Sequence, residues 1–266
     1  MVQLLDVYWL NKLFSFKEMK KNRTIKLFGF ELLETTKSEL IQFIVRSINI
    51  KSHQYLIALN PIKIIKSTKD RDYRKLLNDA TYTFADAIGV VWAVRALNKI
   101  KINRIAGFDL MIDLLSVAEK NNYKVAIVGA SKISIKKAER KILEVNKGLN
   151  LIFCHHGYFK KSEEGDVVDS LIKLEPDMVF VGMGTGRQEA FLSKLLSKKK
   201  IPFSMTVGGS FDVISGVSPR APEIICKIGF EWLYRLVLQP WRYRVMLALP
   251  QFFIKVLFHK YKNNKE

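Results

Sequence analysis

The sequence predicts an α/β protein in which a mostly parallel sheet has helices on both faces, followed by a helical C-terminal appendage. Short, predominantly apolar runs are typical of strands buried on both faces, and stretches with helical periodicity separate these runs. The runs lie at residues 55–59, 124–128, 151–154, 178–181 and 203–207. Strands that alternate with helices form a parallel sheet with crossover helices, so we expect a Rossmann-like arrangement.

Three of the predicted helices begin at recognisable signals. Ser131 or Ser134 opens a basic segment that runs through residue 144, because serine is a favoured N-cap residue. Residues 188–198 follow a run of glycines, and residues 90–97 follow Asp86. We expect these helices to cover the sheet.

The composition changes after Pro222, where glycine becomes rare and aromatic residues alternate with arginine and lysine. Pro240 and Pro250 are expected to divide this part into short helices, because proline interrupts helical hydrogen bonding. The chain is therefore divided into an N-terminal extension (residues 1–22), an α/β domain that would carry a catalytic site (23–219) and a basic-aromatic appendage (220–266). Such an appendage is suited to an anionic membrane surface.

The charge of the chain favours anionic partners. Lysine and arginine number 44 against 25 aspartates and glutamates, a formal net charge of +19. This excess attracts nucleic acid, nucleotide phosphates, lipid diphosphates and anionic membranes, and charge alone does not choose among them. The basic and aromatic residues cluster at one end without a recognisable nucleic-acid-binding module, so we expect no nucleic-acid partner.

The cysteines and the apolar segments predict a cytoplasmic protein. Two cysteines, Cys154 and Cys226, are too far apart in sequence to indicate a disulfide framework or a zinc module. The apolar N-terminus lacks the basic region and the cleavage site of a signal peptide. Residues 245–258 are apolar but contain Pro250 and Lys255, and they fall short of the roughly 20 residues that span a bilayer. We expect a protein that lies on a membrane without crossing it.

The sequence also predicts metal-independent chemistry without a cofactor. It contains no Asp-x-Asp triplet of the kind that holds a divalent cation on a nucleotide diphosphate. His155 and His156 are neighbours, so on a strand their side chains would point to opposite faces and would not share a metal. The G-x-S-x-G nucleophile elbow of a serine hydrolase is also missing from the sequence.

Candidate binding residues follow the predicted strands, because ligands of open α/β sheets bind beyond the carboxyl ends of the strands. The segments concerned are 60–61, 129–131, 155–159, 182–186 and 208–212. Their candidate substrate-binding residues are Asn60, Tyr158, Gly184, Gly208, Gly209 and Asp212.

The glycine-rich segment at 182–186 leads from an apolar strand into a helix. Its backbone N–H groups either hold a phosphate at the helix N-terminus or form a tight turn, and the residues favour neither interpretation. The pattern is not G-x-G-x-x-G and no acidic residue lies about 20 positions later, which disfavours a nicotinamide-dependent oxidoreductase. Gln188 follows directly, where its amide is placed to hydrogen-bond a sugar or a uracil edge.

Asp86 lies between apolar neighbours, directly before a predicted helix. An aspartate at such a position is most commonly an N-cap. The alternative is a general base, partly buried, that takes a proton from the hydroxyl of an acceptor. Under that alternative Arg104 would face phosphate, whereas an isolated arginine is usually solvated. Both interpretations stay open at this point.

Eight landmarks, in order along the chain, resemble the WecG/TagA/CpsF glycosyltransferases, which build teichoic acids, enterobacterial common antigen and capsular polysaccharides. The resemblance covers residues 25–258, nearly the whole chain. The landmarks are NP at 60–61, ADAIG at 85–89, RIAGFDL at 104–110, HHGYF at 155–159, RQE at 187–189, VGGSFD at 207–212, RAP at 220–222 and EWLYRL at 231–236.

The resemblance implies an inverting, metal-independent hexosyltransferase. Its donor would be a UDP-sugar of the N-acetylmannosamine type or related, and its acceptor a sugar linked to undecaprenyl diphosphate. Asp86 would be the catalytic base, and Arg104 and Gln188 would be further residues required for activity. The alternative is a basic nucleotide- or nucleic-acid-binding protein without transferase activity.

The resemblance also implies where substrate and membrane would bind. Gly107 and Asp109 lie in the third landmark and are expected to contact substrate. Arg235, Arg242 and, with a shift of one position, Arg244 are expected to reach a substrate diphosphate from the appendage. A peripheral position at the inner face of the plasma membrane follows, and a homo-oligomer is compatible with the sequence.

Three departures from the family pattern concern substrate choice. Ala58 stands where teichoic-acid members usually carry threonine, and a small residue there resembles the common-antigen branch. Ile62 stands where many members carry an acidic residue. Ala87 replaces the glycine that often follows the aspartate, which adds a methyl group beside the proposed base.

Overall fold

The computed structural model describes residues 24–263, apart from the side chains of Lys227, Arg242 and Asn263. Within these residues eight strands form one sheet in the order β1-β2-β4-β3-β8-β7-β5-β6. The strands are β1 (Thr24–Leu27), β2 (Phe30–Leu33), β3 (Gln54–Leu59), β4 (Tyr82–Ala85), β5 (Val125–Gly129), β6 (Leu151–His155), β7 (Met178–Gly182) and β8 (Phe203–Thr206). The proposed N-terminal extension, residues 1–22, lies outside the described residues.

The sheet is parallel except for its first strand. β1 and β2 form an antiparallel hairpin, whereas β2 is parallel to β4 and the remaining neighbours are parallel to one another. The five strands predicted from apolar runs are β3, β5, β6, β7 and β8, so the mostly parallel α/β fold is confirmed. β1, β2 and β4 were not predicted, because each has four residues and gives little periodic signal.

Helices connect the strands and continue into the appendage. The helices of the α/β part are α1 (Lys37–Asn49), α2 (Pro61–Lys69), α3 (Arg71–Asn78), α4 (Ile88–Asn98), α5 (Gly107–Lys120), α6 (Lys132–Val145), α7 (Glu164–Lys173), α8 (Arg187–Lys198) and α9 (Ser210–Ser215). Those of the appendage are α10 (Glu223–Ile228), α11 (Glu231–Leu238), a short 3-10 helix (Pro240–Arg242), α12 (Tyr243–Met246) and α13 (Ala248–Asn263). Ser131 caps α6 by accepting a hydrogen bond from the Ser134 N–H at 3.1 Å, which confirms the first of the two predicted starts.

Alternate residues of each strand face opposite sides of the sheet, and each side carries its own hydrophobic core. In β7, Val179 and Val181 pack into one core with α2, α4, α7 and α8. Met178 and Phe180 pack into the other core with α1, α5 and α6. Both faces are therefore covered by helices, as predicted, and functional side chains are left to the carboxyl edge of the sheet.

The appendage is docked on the first of these cores. Phe252 and Val256 of α13 are buried in it and pack near α2 and α4. Pro240 begins the 3-10 helix, as expected for a break. Pro250 lies in the first turn of α13, where its missing N–H needs no helical partner, and the preceding helix ends at Met246, so the expected division into short helices is found here too. Among residues 24–263, no helix has both the length and the apolar content that a membrane crossing requires.

Candidate active site

A cleft of about 1340 Å³ opens at the carboxyl ends of β3, β4, β7 and β8, and the appendage forms its remaining wall. Most of the predicted site residues line this cleft: Asn60, Asp86, Arg104, Gly107, Tyr158, Gly184, Gln188, Gly208, Gly209, Asp212 and Arg235. Asp109 and Arg244 do not line it. The side chain of Arg242 lies outside the described residues. Most of the residues predicted from the sequence therefore meet in one cleft at the carboxyl edge of the sheet.

Asp86 follows β4 directly and lies at the base of the cleft. Its Oδ1 accepts a hydrogen bond of 2.8 Å from the N–H of Gly107, the first residue of α5. The interpretation of Asp86 as the N-cap of the next helix is wrong, because Ala87 occupies the cap of α4 and makes no side-chain cap hydrogen bond. Asp86 instead satisfies a free N–H at the start of a different helix.

The surroundings of Asp86 raise the pKa of its carboxyl above the ordinary value. Burial is the largest cause, and Glu231 adds a small contribution in the same direction. The N–H of Gly107 and the positive charges of Lys63 and Arg104 oppose this rise. A carboxyl with a raised pKa beside a large cleft has the properties of a general base.

Arg104 lines the cleft and joins three parts of the chain. Its Nε donates to the main-chain oxygen of Asp86 at 2.9 Å, and one terminal nitrogen donates to the carbonyl of Cys226 at 2.5 Å. The other terminal nitrogen forms an ion pair with Glu231 at 2.9 Å. The described contacts of Arg104 are to the protein, two of them to the appendage. Arg104 thereby connects α10 and α11 to the loop that carries Asp86.

Gln188 is buried, and both ends of its amide are bonded to the protein. Its Oε1 accepts from the N–H of Gly208 at 3.0 Å, and its Nε2 donates to Glu189 at 2.8 Å. Gln188 lines the cleft, but the two described bonds of its amide are to the protein, so its expected hydrogen bond to a sugar or a uracil edge stays a prediction. Gln188 links the loop after β7 to the loop after β8.

The two glycine-containing loops leave open space toward the cleft. Gly184 has φ of 81° and Gly208 has φ of 56°, and a Cβ built on either residue would have no atom within 4 Å. Residue Gly186, at the end of the first loop, precedes α8, whose positive N-terminal end is therefore beside the cleft. Gly209 also lines the cleft, directly before α9.

The remaining candidate substrate-binding residues differ in their contacts with the protein and in their exposure. Asn60 caps α2, accepting the N–H of Lys63 at 3.0 Å. Asp212 accepts a hydrogen bond of 2.7 Å from Ser134. Tyr158 is 71% exposed at the rim, which leaves it available to a ligand. Asp109 forms an ion pair with Arg220 outside the cleft, so its expected contact with substrate is not supported.

Three cations of the cleft were missed by the sequence reasoning. Lys63 is buried, and Lys66 and Arg187 lie at the rim. Lys66 donates to the carbonyl of Thr185 at 3.3 Å, and Arg187 donates to that of Gly157 at 2.8 Å. Neither motif nor spacing distinguishes Lys63 and Lys66 from the other basic residues of the chain, whereas Arg187 lies in the RQE landmark but was not singled out as a site residue.

Arg235 reaches the cleft from α11. Its Nε is buried and has no hydrogen-bond partner within the described part of the chain. A guanidinium group with a buried Nε donor that lacks a protein partner is suited to an anionic ligand. By contrast, Arg244 contacts the Tyr243 hydroxyl at 3.2 Å and lies outside the cleft lining, so its expected reach to a diphosphate is not supported.

The appendage gives the cleft an apolar wall. Trp92 of α4 stacks on Phe253 of α13 with ring centroids 5.1 Å apart. Other apolar residues of this wall are Ile88, Val245, Leu249, Pro250 and Ile254. The cleft is thus polar and cationic at the sheet edge and apolar where the appendage closes it.

The two adjacent histidines do not point apart. β6 ends at His155, and the rings of His155 and His156 stack with centroids 4.5 Å apart, so the expectation of opposite faces is wrong. Across residues 24–263, no group of three His, Cys, Asp or Glu side chains is arranged to hold a metal ion.

Comparison with known proteins assigns the family. Residues 25–266 match the sequence profile of the glycosyl transferase WecG/TagA/CpsF family. The chain belongs to this family. It is accordingly an enzyme, a glycosyltransferase, and the resemblance predicted from the eight landmarks is confirmed.

Similar curated proteins carry one name, N-acetylglucosaminyldiphosphoundecaprenol N-acetyl-beta-D-mannosaminyltransferase. The protein of Bacillus subtilis strain 168 is 36% identical over 208 residues, which cover 78% of this chain and 80% of the relative. The protein of Staphylococcus aureus strain NCTC 8325 is 29% identical over 254 residues, which cover 94% of this chain and 98% of the relative.

The position of Arg104 predicts that the Arg104→Lys substitution loosens the appendage. A single lysine nitrogen cannot span the Asp86 carbonyl, the Cys226 carbonyl and the Glu231 carboxylate together. Loss of hydrogen bonds to a charged group costs about 1.5–3 kcal/mol, so we expect thermolysin to cleave the appendage about 10-fold faster or more. Arg95→Lys, on the exposed side of α4, is the matched control. Equal cleavage rates in the two variants would contradict this role of Arg104.

Proposed function

We propose that this glycosyltransferase moves an N-acetylmannosamine-type hexose from a UDP-sugar to a sugar linked to undecaprenyl diphosphate, with inversion at the anomeric carbon. The observation that carries the proposal is Asp86, a partly buried carboxyl of raised pKa at the base of a cleft that is cationic on one side and apolar on the other. The names of the relatives support the same transferred sugar and the same type of acceptor. The product would enter a teichoic acid or another cell-surface polysaccharide.

The donor diphosphate is assigned to the sheet side of the cleft. The N-terminus of α8 and the open backbone at Gly184 and Gly208 offer N–H groups and a positive dipole. Lys66 and Arg187 add positive charge at the same rim. This set of donors suits a diphosphate that gains negative charge as it departs.

The acceptor is assigned to the side formed by the appendage. The free donor of Arg235 would bind its diphosphate, and the apolar wall around Trp92 and Phe253 would hold the first part of its lipid chain. The acceptor hydroxyl would then lie over Asp86, between the two halves of the cleft.

The reaction is a single displacement. Asp86 removes the proton from the acceptor hydroxyl while that oxygen forms a bond to the anomeric carbon. The bond between this carbon and the UDP oxygen breaks on the opposite side, and UDP leaves with the bonding electrons. The nearby cations and helix N-terminus stabilise the negative charge on UDP, and Asp86 is left protonated.

The appendage would hold the enzyme at the inner face of the plasma membrane. From Arg220 onward the chain has nine lysines and arginines against three glutamates. Large apolar side chains of the same part are exposed, namely Ile224, Ile228, Val237, Trp241, Phe253, Ile254 and Phe258. Basic charge combined with exposed aromatic residues favours the interface of an anionic bilayer.

The proposed reaction is tested by UDP release from the purified full chain in lipid or detergent. We expect release with UDP-N-acetylmannosamine only when a short-chain polyprenyl-diphosphate N-acetylglucosamine acceptor is present. Asp86→Asn should lower the rate roughly 10²- to 10⁴-fold, because amide nitrogen and oxygen cannot take up the hydroxyl proton. In the wild type, kcat/KM should fall as the pH drops through a value above the ordinary aspartate pKa of about 3.9, since the base must be ionised.

UDP-N-acetylglucosamine and UDP-glucose serve as donor controls in the same assay. Release that does not depend on acceptor with any donor would argue for hydrolysis rather than transfer. An Asp86→Asn protein that is folded and transfers at the wild-type rate would remove the base assignment.

Membrane binding is tested with vesicles. Replacing both Trp241 and Phe258, each 71% exposed, with alanine should weaken co-sedimentation with phosphatidylglycerol vesicles at least about 10-fold, because each aromatic ring contributes roughly 1.5–3 kcal/mol when buried. Ile133→Ala is the matched control, because Ile133 is 70% exposed on α6 in the α/β part. An unchanged double variant, or an equal loss in the control, would refute docking through the appendage.

A further inference from the structure

A buried ion pair lies beneath the cleft, and the proposed reaction does not use it directly. Lys63 of α2 and Glu189 of α8 are 4% and 0% exposed, and their Nζ and Oε1 atoms are 3.0 Å apart. Lys63 also donates to the hydroxyl of Thr206, at the end of β8, at 3.3 Å. Burial raises the pKa of the Glu189 carboxyl, but Lys63 and the hydrogen bonds to Gln188 and Gly186 outweigh it, so the pKa lies below its ordinary value. Glu189 is therefore held as a carboxylate.

The carboxylate of Glu189 organises both glycine-containing loops. Its Oε2 accepts the N–H of Gly186 at 2.6 Å, in the loop after β7. Its Oε1 accepts from Gln188 at 2.8 Å, and Gln188 in turn accepts the N–H of Gly208 at 3.0 Å, in the loop after β8. One buried charge thus connects the loop after β7 to the loop after β8.

The other end of the pair acts on Asp86. Lys63 and Arg104 are the cations that face Asp86, from α2 and from the loop before α5, while Glu231 faces it from α11. Lys63 shares its charge with Glu189, and Arg104 shares its charge with Glu231. Any change in the Lys63–Glu189 pair therefore changes the net charge that Asp86 experiences.

We propose that Glu189 and Lys63 are positioning residues for the transfer reaction: Glu189 holds the two glycine-containing loops in the geometry that binds the donor diphosphate, and Lys63 sets the charge around the base. This inference rests on the proposed function. It assigns to the pair two separable effects, one on donor binding and one on the pH dependence of the rate.

The pH profile distinguishes these effects from a loss of stability. Lys63→Met removes a positive charge that favours ionised Asp86, so the acidic limb of kcat/KM should move to higher pH. Glu189→Gln leaves the charge of Lys63 uncompensated, so the limb should move to lower pH. Each variant should also lose roughly 10- to 100-fold in kcat/KM, because small displacements of binding groups have effects of this size.

Donor binding is measured separately by titration calorimetry with UDP. Glu189→Gln should weaken UDP binding about 10-fold and speed amide hydrogen exchange at residues 182–189 and 206–212. Glu164→Gln is the matched control, because Glu164 also pairs with a lysine, Lys194, but away from the cleft. The pH profile of kcat/KM, the UDP affinity and the amide hydrogen exchange of this control should match those of the wild type.

A second variant covers the case in which a single substitution prevents folding. The double variant Lys63→Met/Glu189→Leu replaces the buried pair with apolar side chains, a change that proteins commonly tolerate. It should fold, yet exchange rapidly at both loops and bind UDP weakly. The inference would be overturned if this double variant had the amide exchange rates and the UDP affinity of the wild type. It would also be overturned if the acidic limbs of kcat/KM in the two single variants moved in the same direction or did not move. If wild-type protein showed no transfer, the proposed function would fail, whereas the exchange data would still decide the loop role of Glu189.

Discussion

The charge balance around Asp86 is the constraint on which the rest of the site depends. Burial disfavours a charge on this carboxyl, and the two cations that face it, Lys63 and Arg104, each hold a second carboxylate, Glu189 and Glu231. A cation that pairs with a carboxylate alone lowers its pKa and makes it a weaker base. Burial without any nearby cation raises the pKa and favours the protonated form. The two shared cations oppose the effect of burial only in part, so the pKa of Asp86 stays above its ordinary value.

These same contacts hold the parts of the cleft together. Glu189 belongs to α8 and fixes the two glycine-containing loops, whereas Glu231 belongs to α11 and brings the appendage onto the α/β part through Arg104. The side of the cleft at the sheet edge and the side formed by the appendage are thereby each connected to the surroundings of Asp86 through one ion pair. A substitution in either ion pair is expected to change both the shape of the cleft and the charge at Asp86. A measurement of the free energy of unfolding would therefore not show what the ion pair does in the reaction.

Much of the fold was predictable from the sequence, because strands such as β5 and β7 are buried on both faces and read as continuous apolar runs. The glycine-containing loops were found because ligands of such sheets bind at the carboxyl edge, whereas Asp86 was singled out by its apolar neighbours and by the predicted helix that follows it. The partners of these residues were not predictable: Lys63 and Glu189 are 126 positions apart in sequence, and nothing local marks a buried lysine. The contacts of Arg104 were missed for the same reason, since Cys226 and Glu231 meet it only in the folded chain.

The most direct test of this account is a pH titration of the Asp86 carboxyl in the full chain. Aspartate labelled with ¹³C at the carboxyl carbon would be followed by NMR, with Asp86→Asn used to assign the resonance. We expect the midpoint of the Asp86 titration to lie above the ordinary aspartate pKa of about 3.9, because the effect of burial outweighs that of the shared cations. A midpoint at or below that value would show that the cations dominate, and the proposed balance at the base would be wrong.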